Sequence, residues 1–244
     1  MGGQAGERAG EKVAIANETM LYEPIKAYLC RRGFAVRSEV AGRDLVAVRG
    51  DEVVVVELKR TFNLSLLLQG VERQGAADYV YLAVEAPARP TRRWSQVRGL
   101  CERLGLGLLT VSFPAKRPAR VDVAVEARRP DDLPRKKAER KRLLDEFNGR
   151  SGDYNVGGST RRPIVTAYRE DALHLASTLK AEGAPQTVKA LREATGCDRA
   201  GRILQDNYYG WFERVRRGVY RLTPAGEEAL VQYADVIEAW SQGR

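Results

Sequence analysis

Three residues in one short stretch are of types and spacing that could do chemistry. They are Asp44, Glu57 and Lys59, in "GRDLVAVRGDEVVVVELKR", residues 42–60. Twelve residues separate the two acids. The four valines before Glu57 predict a strand buried on both sides. "DLVAVR" predicts its neighbour, with "RGDE" as the turn between them. Side chains alternate across a strand, so Glu57 and Lys59 leave it on the same face. A tight hairpin then brings Asp44 close to Glu57 at one end of the sheet. Two carboxylates that close repel each other, and a divalent cation removes the repulsion. A set of oxygen ligands suits Mg²⁺ or Mn²⁺. A lysine beside them could position or deprotonate an activated water, or balance the charge of a phosphate in the transition state.

The flanking segments predict what must hold this group in place. "ETMLYEPIKAYLCRR", residues 18–32, carries Leu21, Ile25, Tyr28 and Leu29 at helical spacing, with Gly33 as its stop. "FAVRSEV" alternates as a strand. After the valine strand, "LSLLLQGVERQGAA" reads as a helix, "YVYLAVE" as a strand, "TRRWSQVRGLCERLG" as a helix and "GLLTVS" as a strand. "VDVAVEA" adds an edge strand. The order α-β-β-β-α-β-α-β is that of an α/β fold, a mixed sheet with helices on its faces.

A basic, proline-bearing run, "EARRPDDLPRKKAERKR", marks a change of composition. It divides the chain into a polar, glycine-rich leader (1–16), a sheet domain (17–130), a basic linker (131–163) and a mainly helical domain (164–244). In the last, "TVKALREATG" and "DRAGRILQDNYYG" predict two helices, and "WFERVRRGVYRLTPAG" predicts a hairpin about Arg217-Gly218. Helix, helix, hairpin is the order of a winged helix. Arg199 and Arg202 lie near the start of the second helix, where base or phosphate contacts fall. Arg214, Arg216, Arg217 and Arg221 crowd the wing, where phosphate contact is expected. "GGSTRR" could cradle a phosphate with Arg161 and Arg162, although a plain linker is the simpler reading. The aromatics Tyr208, Tyr209, Trp211, Phe212 and Tyr220 fit the core of a small domain better than a base-stacking platform.

Composition narrows the classes. Cys30, Cys101 and Cys197 are scattered, which argues against a zinc site and a disulfide scaffold and suits a reducing cytoplasm. His174, the single histidine, sits in helical text with no GxSxG motif, so it reads as a helix-face residue. No run of about 18 apolar residues suggests a membrane span. The net charge of +9, from 41 basic and 32 acidic residues, points toward polyanions.

Asp44 followed by Glu57-Leu58-Lys59, on this order of elements, resembles the PD-(D/E)XK nuclease superfamily. The weight lies in the apolar strand before ExK and the helix and strand after it. More narrowly, "ETMLYEPIKAYL", "VVELKRTFNLSLLLQG", "GGSTRRPIVTAYREDAL" and "NYYGWFERVRRGVYRLTPAG" resemble a bacterial family of PD-(D/E)XK-type phosphodiesterases with a C-terminal extension. The resemblance implies a restriction-endonuclease-like core and phosphodiester hydrolysis with Mg²⁺ or Mn²⁺ held by Asp44 and Glu57. It also implies an acid from the first helix, Glu18 or Glu23, and a glutamine from the helix after ExK, Gln69 or Gln74. Glu18 is preferred because Pro24 fixes the backbone beside Glu23.

The expectation is therefore a metal-dependent nuclease set on duplex DNA by its winged helix, with no membrane partner; a homodimer is compatible with the sequence. Two alternatives stand beside it. One is a catalytically silent scaffold that binds nucleic acid or docks proteins, and the other a phosphodiesterase acting on RNA or a nucleotide.

Overall fold

The computed structural model describes residues 17–89, 91–129, 136–155 and 163–242. These fall into two compact units, one running to Phe147 and including Asn155 and Pro163, the other comprising 148–154 and everything from Ile164.

The first unit is built on one six-stranded sheet. After a 3₁₀ turn (Glu18–Leu21) and helix α1 (Tyr22–Cys30) come β1 (Ala35–Val40), β2 (Arg43–Arg49) and β3 (Glu52–Leu58). Helix α2 (Leu64–Arg73), β4 (Tyr79–Glu85), α3 (Arg92–Leu104), β5 (Gly107–Ser112) and β6 (Arg120–Val125) follow. The strands lie side by side in chain order. β1, β2 and β3 form an antiparallel meander, β4 and β5 join it in parallel, and β6 closes the far edge antiparallel to β5. The two parallel joins need crossovers, and α2 and α3 supply them. This is the mixed α/β sheet flanked by helices that the sequence predicts.

The valine strand shows why the sheet is sandwiched. Val53 and Val55 point into a core with Leu66 and Leu67 of α2 and Val97 and Cys101 of α3. Val54, Val56 and Leu58 point the other way, onto Leu21, Tyr22, Ile25 and Leu29 of the first turn and α1. Both parities are buried, so both faces must be covered.

The stretch expected to be a basic linker, 131–163, is different in its described part. Helix α4 (Lys137–Gly149) occupies it, and its Leu143 and Phe147 are buried with Val53, Val55 and Leu66 on the α2 and α3 side of the sheet. Leu143, Leu144 and Phe147 form a helical stripe inside a run of Lys and Arg, and burial of that stripe outweighs the charge of the surface. The backbone N–H of Lys136 donates to Gly75 O at 2.9 Å and ties the start of α4 to the end of α2.

The second unit holds α5 (Ala167–Glu182), a two-residue strand β7 (Gln186–Thr187), α6 (Val188–Thr195), α7 (Ala200–Asp206), the hairpin β8 (Phe212–Arg216) and β9 (Val219–Leu222), then α8 (Pro224–Gln232) and α9 (Ala234–Gln242). Its small sheet has the order β7-β9-β8. Trp211, Phe212 and Tyr220 are buried in its core with Leu175, Leu191 and Ile203, while Tyr208 is 74% exposed. His174 stacks on Trp240 with ring centroids 3.7 Å apart, in keeping with a helix-face histidine. Among the described residues no helix is long and apolar enough to cross a membrane.

Candidate active site

The β2–β3 register brings the two acids together. Leu45 lies opposite Val56, and the next residues along, Asp44 and Glu57, face each other across the strand pair. Their carboxyl groups are hydrogen-bonded to one another. Asp44 also accepts the backbone N–H of Leu58 at 2.7 Å. Glu57 is 1% exposed. Burial, and then the charge of Asp44, push its pKa up to about 7 against an ordinary 4.5. Burial likewise raises that of Asp44, with the Leu58 hydrogen bond opposing. The pair therefore shares a proton more readily than either acid would alone at the surface.

Lys59 follows β3 directly, and its N–H donates to Ala83 O at 3.0 Å, so the backbone stays in register with β4. Its ammonium group lies 3.6 Å from Glu18 Oε2. The charge of Glu18 also contributes to raising Asp44's pKa, so the 3₁₀ turn brings a third carboxylate to the edge of the group. Glu23 is exposed on α1. Of the two glutamines expected from the helix after ExK, Gln69 is half-buried, one helical turn before Arg73. Gln74 is engaged elsewhere. Its side-chain amide donates to Leu104 O at 2.7 Å and joins the end of α2 to the end of α3.

Arg73 is the residue that the D…ExK pattern does not announce. Its Nε donates to Glu57 Oε1 at 2.7 Å and its Nη2 to Gly42 O at 2.9 Å. One guanidinium thus grips the carboxylate on β3 and the turn that launches β2. No spacing rule in the strand motif points to it; it stands four residues after Gln69, on the same face of α2.

The turn itself is under strain. Val40 pairs with Arg43, leaving Ala41 and Gly42 as a two-residue loop. Both have positive φ, 50° and 75°. That is the backbone of a type I′ turn, which glycine adopts freely and alanine does not.

Among the described residues no three His, Cys, Asp or Glu side chains are grouped so as to hold a metal ion. The fit to a cation rests on the two carboxylates. They meet where Glu57 is buried and Asp44 half-buried, and Arg73 pairs with Glu57. Two carboxylates with waters and a substrate phosphate are a donor set that suits Mg²⁺ or Mn²⁺.

The arginines of the second unit divide into two groups. Arg199 pairs with Asp171 on α5, and Arg202 with Asp206 one turn on at 3.4 Å. Arg221 pairs with Glu213 across the hairpin at 2.7 Å. Arg214, Arg216 and Arg217 are exposed on the hairpin and have no carboxylate partner among the described residues. Arg161 and Arg162 lie outside the described residues.

Residues 109–229 match the profile of a family described as "Putative PD-(D/E)XK phosphodiesterase". The match starts inside β5 and ends in α8, just under half of the chain, so Asp44, Glu57 and Lys59 stand outside it. No curated protein and no solved structure matches the chain.

Proposed function

We propose that this chain is a member of the PD-(D/E)XK phosphodiesterase family and a metal-dependent nuclease that hydrolyses backbone phosphodiesters of DNA. The observation that carries the reading is the contact between Asp44 and Glu57, with Lys59 two residues on and held by Glu18. Two touching carboxylates, one buried and one half-buried, are costly to charge together unless something positive joins them.

Asp44 and Glu57 are the residues that would hold a Mg²⁺ or Mn²⁺ ion, with Glu18 at its margin. The ion would supply Lewis-acid polarisation of the phosphoryl group and a more acidic water. Arg73 orients Glu57 and keeps the Gly42 turn against it. Lys59 presents an ammonium group at the open side of the pair, where it can orient the attacking water or stabilise charge on the phosphoryl oxygens. Glu18 limits where that ammonium group can go.

The second unit is read as a winged helix. Its order of helix, short strand, two helices and hairpin, with a β7-β9-β8 sheet, supports this. The unpaired Arg214, Arg216 and Arg217 of the hairpin are the residues proposed to meet duplex phosphates.

The test is direct. Purified protein is incubated with plasmid, linear duplex, single-stranded DNA and RNA, each with Mg²⁺, Mn²⁺ or EDTA. Cleavage of DNA that EDTA abolishes supports the proposal. Cutting confined to RNA would move the substrate class, and no cutting of any substrate with either ion would defeat the nuclease reading.

A further inference from the structure

Beside the carboxylate pair lies a second charged feature that the reaction does not use. A cleft of about 630 Å³ opens between the β1–β2 turn and the first turn of α4, lined by Ala41, Arg43, Lys136, Lys137, Ala138, Glu139 and Arg142. Four of these are cations and one is an acid. Glu139 is already engaged: it accepts from Arg43 Nη2, and Lys136 Nζ lies 3.3 Å from it. Lys137 and Arg142 are exposed, with no carboxylate partner among the described residues. The cleft is therefore cationic in excess, and its charge is not balanced from within.

The walls are built rather than casual. Arg43 is 3% exposed, its Nη1 donates to Ala41 O at 2.6 Å, and its Nε is buried without a partner. Lys136 packs its methylenes against Gly75, where an added Cβ would sit 2.8 Å from Lys136 Cγ. α4 is itself fixed by Leu143 and Phe147 in the core. Placing cations on a rigid wall stabilises an anion without the entropy of ordering them on binding.

Its position ties the cleft to the acids. Arg43 precedes Asp44 in β2, and Arg73, which grips Glu57, also holds the Gly42 carbonyl at the rim. A strand whose scissile phosphate reaches Asp44 and Glu57 would carry its neighbouring phosphates past this wall.

We propose that the cleft is a phosphate subsite: it binds a backbone phosphate of the nucleic-acid strand next to the one that is cut. The inference rests on the phosphodiesterase reading above, and the experiment keeps the two apart. The full-length chain carrying Lys137→Glu with Arg142→Glu is compared with wild type and with the charge-keeping pair Lys137→Arg with Arg142→Lys. Circular dichroism checks that each is folded. Anisotropy of labelled DNA and RNA strands is then measured in EDTA across a salt series, where no cutting occurs. The charge-reversed chain should bind at least about tenfold more weakly, and its salt slope should fall by about 1, as expected for one lost phosphate contact. The charge-keeping pair should match wild type. Hydrolysis of bis(4-nitrophenyl) phosphate with Mn²⁺, a single diester with no neighbouring phosphate, should be the same in all three. Unchanged strand affinity and slope in the reversed chain overturns the subsite, as does an equal loss in the charge-keeping pair or a slower reporter rate. If wild type hydrolyses neither strand nor reporter, the phosphodiesterase reading fails, and the anisotropy comparison still decides the cleft.

Discussion

Glu57 carries a conflict that pH should reveal. Its pKa in the fold, about 7, lies above the ordinary 4.5. Between those values the folded chain keeps a proton that the unfolded chain has released. Stability contributed by this group is therefore full at low pH and is lost as pH rises through about 7. In EDTA, the difference in thermal midpoint between wild type and Glu57→Gln should shift against wild type from pH 5 to pH 7.5. If Asp44 and Glu57 hold the ion as proposed, Mn²⁺ should reverse that trend at pH 7.5, because its binding needs the deprotonated acids. A difference that stays flat with pH would remove the shared proton. Lys59 makes a different prediction. Lys59→Ala should lower cleavage by at least about a hundredfold and leave strand affinity largely intact, since its proposed interaction strengthens in the transition state. Single-turnover rates with anisotropy on the same substrate check it, and equal turnover would take Lys59 out of the chemistry.

At the level of elements, the site depends on a turn whose sequence does not favour its shape. Ala41 has φ of 50° and its neighbour Gly42 of 75°, as a type I′ turn requires. Ala41→Asn should stabilise the chain by about 0.5–1 kcal/mol, because asparagine tolerates this backbone better. The thermal midpoint should rise by about 1–4 °C for a chain of this size. An unchanged or lower midpoint would show that the turn is not strained at Ala41. The sheet was legible because its strands announce themselves by alternation, or by valine runs bounded by turns. The pairing of Asp44 with Glu57 followed from the hairpin. Arg73 was not legible, because a long side chain reaching across from a helix leaves no spacing rule in the strand motif. α4 was hidden for the opposite reason: six basic residues from Arg135 to Arg142, with one alanine and one glutamate among them, masked the Leu143, Leu144, Phe147 stripe. Gln74 looked like a site residue by motif, yet burial gave it a carbonyl to satisfy.

On the scale of the whole molecule, charge should divide the labour. The net charge is +9, and three exposed arginines of the β8–β9 hairpin have no carboxylate partner among the described residues. Arg199, Arg202 and Arg221 sit near carboxylates, so displacing those contacts would offset part of what a phosphate contact gains. Arg214, Arg216 and Arg217 carry no such cost. Replacing these three by glutamine in the full chain should weaken duplex DNA binding by an order of magnitude or more at low salt. Each phosphate contact contributes about 0.9 to the salt slope on duplex DNA, so the slope should fall by up to about 3. Hydrolysis of a single-diester reporter should be untouched, because Asp44, Glu57 and Lys59 belong to the sheet unit. If the second unit instead docks a protein, the substituted chain keeps wild-type affinity and slope on duplex DNA. Superimposable anisotropy curves across the salt series would then end the reading of the hairpin as a DNA-binding wing.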